Sequence, residues 1–353
     1  MNVSENIVSF LVLVFLSYFF NKYFLLFLNK SGSKLLIDDQ YKKPQAFHQI
    51  PTPVSGGIGI YFCFLIVCFY LFLSKQFIYY EYLLFCTLFF LLGLIDDFKV
   101  NFRPKFRLIL MIISLIFLVL TNNFYIKNTG IEFLNRFLEI DIFALFFVCL
   151  CFLFIINGSN LVDGYNGLLG IHSLIILINL FFINYLNENN NLAFFLLSGI
   201  LIIAVFVKYN FPKANIFLGD SGSYFIGAFI AVSVIKTSIE NPAISPFFFC
   251  ILLFYLFFEV FFSFIRKIVV ENKSPLFPDK KHLHMLIYKS LLKKNKDKVK
   301  SNFTTSIIIN LVYFTMTIPA ILMMENGMFC KYYSLIFFLI YIFCYKLYRE
   351  KTL

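Results

Sequence analysis

Long apolar stretches alternate with short polar ones along almost the whole chain. Runs near 6–28, 56–73, 80–96, 108–121, 142–157, 171–186, 192–208, 223–236, 247–265, 305–323 and 333–346 are each nearly free of charge. A bilayer crossing takes about 17–25 apolar residues, fewer when the flanks assist, so the pattern predicts eleven membrane helices, or ten if one of the shorter runs fails to cross. Asn187 to Asn190 separates two runs by only four residues and predicts a tight helical hairpin. The first run continues well past 15 residues and has no Lys or Arg before it, so it reads as a retained helix rather than a cleaved signal peptide.

Composition agrees with that division. Of the 353 residues 60% are apolar and 14% charged, and mean hydropathy is +0.84. Soluble domains carry about 25% charged residues, so the outer surface must face lipid. The predicted class is all-α, a polytopic membrane protein forming a single membrane-embedded domain over 1–353. The net charge of +11 could suggest nucleic acid, but its placement argues otherwise. With the N-terminus outside, 25 of the 30 basic residues fall on the cytoplasmic connections, eleven of them in a basic loop at 266–304. That bias sets orientation by the positive-inside rule and puts the C-terminus inside; nucleic acid is not an expected partner. Residues 286–300 are basic with a weak apolar stripe and read as a helix lying on anionic headgroups. The eight cysteines show no metal or disulfide spacing and read as small apolar fillers.

Five polar clusters fall at the predicted cytoplasmic face: His48 to Gly57, Gly93 to Asp97, Asn157 to Gly167, Phe217 to Ser223, and Pro278 to His284. Their common face predicts one site. Asp96 and Asp97 end an apolar helix, where adjacent carboxylates repel each other and oppose the helix dipole; a metal ion is the simplest relief. Asp220, between Gly219 and Gly222 with Ser221 and Ser223 beside it, opens the next helix. It suits a hard cation, while the N–H groups there suit phosphate and an Asp or Ser there also suits a helix cap. Asn157, Asn160, Asp163 and Asn166 offer donors and acceptors for a base or sugar from a glycine-bearing loop. His282 and His284, beside Lys280 and Lys281 and without cysteine partners, suit phosphate better than zinc. Glu259 either pairs with Arg266 or lines the cavity.

In order along the chain these clusters resemble the polyprenyl-phosphate N-acetylhexosamine-1-phosphate transferases, the membrane branch of glycosyltransferase family 4. The resemblance covers about 38–285. His48 with Pro51-x-Pro53 and Gly56-Gly57 is similar to the family's first loop, and Asp96-Asp97 to its paired-aspartate motif. Asn157-x-x-Asn160-x-x-Asp163-Gly is similar to the nucleotide loop, Phe217-x-Gly-Asp220-x-Gly-Ser223 to the metal-binding turn, and Pro278-Asp-x-x-His282-x-His284 to the histidine loop. The last form is nearer the antigen-initiating branch, the undecaprenyl-phosphate N-acetylglucosamine-1-phosphate transferases, than the peptidoglycan translocase. Met285 stands at the third histidine of the translocase, Asn166 at a second carboxylate, and Ala46-Phe47 at a basic pair for which Lys42 and Lys43 are substitutes.

The resemblance implies transfer of an N-acetylhexosamine 1-phosphate from a UDP-sugar to undecaprenyl or another polyprenyl phosphate, releasing UMP, as the first step of a cell-envelope glycan such as O-antigen. It implies Mg²⁺, with Mn²⁺ as a substitute, and a bacterial inner-membrane location with the site on the cytoplasmic face. Membrane lipids are further partners, and homodimer formation stays open. Asp97 and Asp220 are the expected metal residues, and Asp96 positions or deprotonates the acceptor. His282, His284, Lys280 and Lys281 hold the diphosphate, with Phe217 against the uracil.

Three other readings compete. An isoprenoid prenyltransferase calls for an acid three residues after Asp97, where Val100 stands; an intramembrane aspartyl protease calls for Gly at 217, where Phe stands. A transporter would place charge near the midplane rather than at one face.

Overall fold

The computed structural model describes residues 3–31, 36–38, 51–76, 78–98, 103–274 and 279–352. Each apolar run forms helix. The elements are α1 (Val3–Ser31), β1 (Ile37–Asp38), β2 (Thr52–Pro53), α2 (Gly56–Lys75), α3 (Tyr80–Asp97), α4 (Pro104–Asn122), α5 (Glu132–Leu138), α6 (Asp141–Val162) and α7 (Leu168–Leu186). They continue as α8 (Asn190–Asn210), α9 (Gly219–Glu240), α10 (Pro246–Leu252), α11 (Phe254–Ile265), α12 (Leu283–Asn295), α13 (Lys298–Leu322) and α14 (Gly327–Thr352).

Among the described residues nine helices are long and apolar enough to cross a membrane, or ten if α10 and α11 make one bent span. The protein is therefore an all-α, multi-pass membrane protein. Two runs account for the difference from eleven. The run at 80–96 is α3, whose 18 residues include Glu81, Asp96 and Asp97. The run at 247–265 is broken at Leu253, where α10 meets α11 at 75° before a π-helical turn, Arg266–Val270. The hairpin at 187–190 forms as expected, with Glu188 at φ 62° and Asn189 N–H donating to the Asn184 carbonyl at 2.8 Å. The basic stretch 286–300 is not one helix: Lys296 takes φ 56°, and Asp297 caps α13 by accepting from Lys300 N–H at 3.0 Å.

The hub of the bundle is α9, 83% buried, packed against α2, α3, α6 and α7. Small residues make this fit possible, as at most close membrane-helix contacts. A Cβ on Gly227 would stand 2.8 Å from Ile156 Cα of α6, and one on Gly93 of α3 would stand 2.5 Å from Ser221 Cα. Polar bonds fix the register. Tyr82 donates to Ser233 at 3.1 Å, Asn184 donates to Thr237 at 2.8 Å, and Lys236 of α9 pairs with Glu81 of α3. In a lipid-facing bundle such bonds stabilise by about 0.6–2 kcal/mol each. All eight cysteines are free, five of them buried, as expected for packing residues.

Candidate active site

One end of α3 abuts the start of α9. Close approach at Gly93 brings the last residue of α3, Asp97, onto the first turn of α9. Its Oδ1 accepts from Asp220 N–H at 2.8 Å and its Oδ2 from Ser221 N–H at 3.0 Å. The N–H groups expected to take a phosphate are thus already taken by an internal carboxylate, which also meets the positive end of the α9 dipole. Gly219, at φ +81°, makes the turn and leaves room for Asp97, since a Cβ there would stand 2.7 Å from Oδ2.

Asp96 points the other way. Its Oδ2 accepts from Arg107 Nη1 of α4 at 2.8 Å, and the same nitrogen is 3.9 Å from Asp220 Oδ2. Asp96 thus meets a guanidinium and Asp97 the helix N–H groups, partners that offset part of the repulsion expected between the two. Arg107 is a site residue that the sequence reading missed, counted only as one basic residue among many. Its spacing of 11 residues from Asp96 gave no signal, because the two stand on different helices, α3 and α4.

The first loop closes over this turn. Phe217 N–H donates to the Pro53 carbonyl at 2.8 Å, and the N–H groups of Gly56 and Gly57 donate to the carbonyls of Phe217 and Leu218 at 2.9 and 2.8 Å. Phe217 itself is half-buried. His48, Lys42 and Lys43 lie outside the described residues.

Asn157 and Asn160 do not sit in a loop, because α6 runs on to Val162. Asn160 Nδ2 donates to Asp220 Oδ1 at 2.7 Å and to Ser223 Oγ at 3.0 Å, which puts it in the site. Asn157 instead donates back to the Leu153 carbonyl at 2.8 Å. Asn166 also works structurally: its N–H donates to Asn302 Oδ1 at 2.8 Å and its amide to the Pro212 carbonyl at 3.0 Å. Asp163 caps α6 close to the other acids. Burial, then the Asp220 and Asp97 carboxylates, push its carboxyl well above the ordinary range.

Four carboxylates, Asp96, Asp97, Asp163 and Asp220, thus share one region with the Arg107 guanidinium. Excess negative charge of this kind fits a divalent cation. Among the described residues no three His, Cys, Asp or Glu side chains form a ready-made cage. Mg²⁺ needs no such cage, since it keeps several waters and binds through one or two carboxylates plus substrate phosphates. Asp220, its side chain 39% exposed, and Asp97 are the residues that would hold it.

The histidine loop forms a second cluster. His282 Nδ1 is 3.1 Å from Glu259 Oε2, and His284 Nδ1 is 3.8 Å from Glu259 Oε1. Glu259 therefore pairs with neither Arg266 nor an open cavity. Arg266 bonds Asp279 and Glu271, each at 2.7 Å. His282 and His284 are 3% and 0% exposed, so the two imidazoles expected to hold the diphosphate are enclosed. Burial holds His284 down at about 4 against the pull of Glu259. Lys280 and Lys281 remain exposed, Lys281 Nζ bonding Glu271 at 2.9 Å. The two clusters are joined by the loop after α6, whose Tyr165 packs edge-on to His284 with centroids 5.6 Å apart.

The family described as Glycosyl transferase family 4 matches residues 79–238, the segment from α3 through α9. The chain is 30% identical over 243 residues to an undecaprenyl-phosphate alpha-N-acetylglucosaminyl 1-phosphate transferase of Thermotoga maritima, covering 67% of this chain and 68% of that one. It is 32% identical over 205 residues to a phospho-N-acetylmuramoyl-pentapeptide-transferase of Dictyoglomus turgidum, covering 55% and 62%. An Escherichia coli K12 undecaprenyl-phosphate alpha-N-acetylglucosaminyl 1-phosphate transferase is 25% identical over 300 residues, covering 82% and 77%.

Proposed function

Because the chain belongs to glycosyl transferase family 4, we propose that it transfers an N-acetylhexosamine 1-phosphate from a UDP-sugar to a polyprenyl phosphate. One observation carries the reading. Asp97, Asp220, Asn160 and Arg107, drawn from α3, α9, α6 and α4, converge where those helices end, at one face of the bundle. A lipid-borne phosphate and a soluble nucleotide can meet only at such an edge.

An oxygen of the acceptor phosphate attacks the sugar-bearing phosphorus of the donor. The P–O bond to UMP breaks, and UMP leaves with the electron pair. The acceptor is a phosphate monoester with a second pKa of about 6, so at neutral pH it is largely dianionic and needs no strong base. Asp96, committed to Arg107, positions that guanidinium beside Asp220 and the incoming phosphates. Mg²⁺, when bound, supplies charge neutralisation of the diphosphate. Phosphoryl transfer is mainly positioning and charge stabilisation, which Arg107, Asn160, Lys280 and Lys281 provide. Phe217 offers its face to the uracil.

The charge bias supports a site on the cytoplasmic side, and the bacterial relatives support an inner-membrane location. Reporter fusions after Lys300 and Leu353 should therefore report cytoplasmic, and a periplasmic signal from either would reverse the orientation. The His-x-His spacing favours UDP-N-acetylglucosamine-type donors over a muramoyl-pentapeptide donor. Purified protein should release UMP from a UDP-N-acetylhexosamine only when polyprenyl phosphate is added. Release without the lipid, or none with any UDP-sugar, would remove the proposal, and preference for the pentapeptide donor would move the chain to the peptidoglycan branch.

A further inference from the structure

Glu259 lies in the second turn of α11 and is 1% exposed. A carboxylate so placed demands partners, and it finds them on one loop. Oε2 faces His282 Nδ1 at 3.1 Å, while Oε1 accepts from Leu283 N–H at 3.2 Å. The two imidazole rings lie parallel within 3°, centroids 5.4 Å apart. Tyr255 OH is 3.4 Å from His284 Nδ1, and Asp279 Oδ1 is 3.4 Å from His282 Nε2. Beyond His284 comes Tyr165, in the loop that follows Asn160 and Asp163. Enclosed as they are, the two imidazoles are placed to transmit a position.

From this arrangement we propose that Glu259 is a positioning residue of the transferase, acting through His282 and His284 to set loops 279–284 and 163–167 against the donor. The inference rests on the transferase reading. Its physical basis is that a carboxylate accepting from a histidine Nδ1–H fixes the ring's tautomer and orientation. Here the same carboxylate also holds the backbone where the loop enters α12. Lys280 and Lys281, the exposed cations of that loop, are aimed as a consequence.

Glu259→Gln keeps the shape and one acceptor oxygen but removes the charge. In full-length protein in lipid nanodiscs it should lose at least tenfold in kcat/KM for the UDP-sugar, while KM for polyprenyl phosphate changes less than twofold. Amide hydrogen exchange should quicken in both 279–290 and 163–168. Donor kinetics within threefold of wild type, or quicker exchange confined to 279–290, would overturn the proposal. His282→Asn, which puts an amide N–H near the Nδ1 position, serves if the Glu259 variant does not fold. It should keep more than a tenth of wild-type turnover, and a fall below a tenth with normal exchange in both loops would make His282 a group that touches substrate instead. Exchange is read without substrate. It therefore decides on Glu259 even if wild type were inert toward every UDP-sugar, the result that would sink the transferase reading itself.

Discussion

Replacing Gly93 by alanine adds one methyl group where α3 crosses the start of α9. That Cβ would stand on the Asp220 carbonyl and 2.5 Å from Ser221 Cα, where ordinary contact begins at 3.4 Å. Both neighbours are backbone and cannot rotate away, so the helices must part by roughly 1 Å, as overpacked cores do. Asp97 lies one turn further along α3, and its bonds of 2.8 and 3.0 Å to α9 would stretch to about 4 Å, past the limit of a hydrogen bond. Hydrogen bonds to charged groups contribute about 1.5–3 kcal/mol each, so a destabilisation of about 3 kcal/mol is expected. A misplacement of about 1 Å in a catalytic constellation costs on the order of 100-fold in rate. UMP release and the melting temperature of the purified variant measure the two effects. Gly327→Ala is the control, because the nearest atom to its Cβ would be Ser245 Oγ at 3.7 Å. If Gly93→Ala turned over and melted like wild type while Gly327→Ala did the same, the α3–α9 contact would not be what places Asp97.

Asp220→Asn should fold normally, since the side chain is part-exposed, and lose at least about 100-fold in turnover; near-normal activity at saturating Mg²⁺ would exclude Asp220 as a metal residue. Arg107→Ala and Asp96→Asn should each reduce turnover, and the double variant should be no worse than the poorer single one, because the two act as a unit. Additive losses would separate their roles. For Asp279, burial raises the carboxyl, but the Lys281 N–H and the Arg266 guanidinium outweigh it and hold it at about 2. Its contribution to stability, about 2 kcal/mol by linkage, is thus complete above the ordinary value of 3.8 and fades as pH falls toward 2. Melting temperature between pH 5 and 3 should fall less steeply in Asp279→Asn than in wild type, and equal slopes would assign the acid sensitivity to other groups.

The helices were legible because lipid imposes long apolar runs. Partners across the bundle were not. Asp96-Asp97 stood out as an acidic pair at a helix end, but nothing local says that Asp97 would spend its oxygens on N–H groups 123 and 124 residues away. Gly93 and Gly57 were read only as parts of their polar clusters, and nothing local showed that the α9 backbone packs on them. Arg107 looked like topology, yet it stands between Asp96 and Asp220. His282 and His284 looked like chemistry and turned out to be enclosed, because their partner, Glu259, lies 23 residues earlier, a lone acid inside the apolar helix α11. Residues whose role depends on their own helix could be read; those whose role depends on a neighbouring helix could not.

The burial of α9 bears on how the protein is made. Of the nine candidate spans it is the least apolar, and it carries Ser221, Ser223, Ser233 and Thr237 on surfaces that lipid never touches in the finished fold. On leaving the insertion machinery such a helix is poorly matched to hydrocarbon until α2, α3, α6 and α7 enclose it. All four emerge from the ribosome earlier, so a cradle is waiting when α9 arrives. Lesions lining that cradle would then show first as a chain that quality control removes, and only afterwards as a weak enzyme.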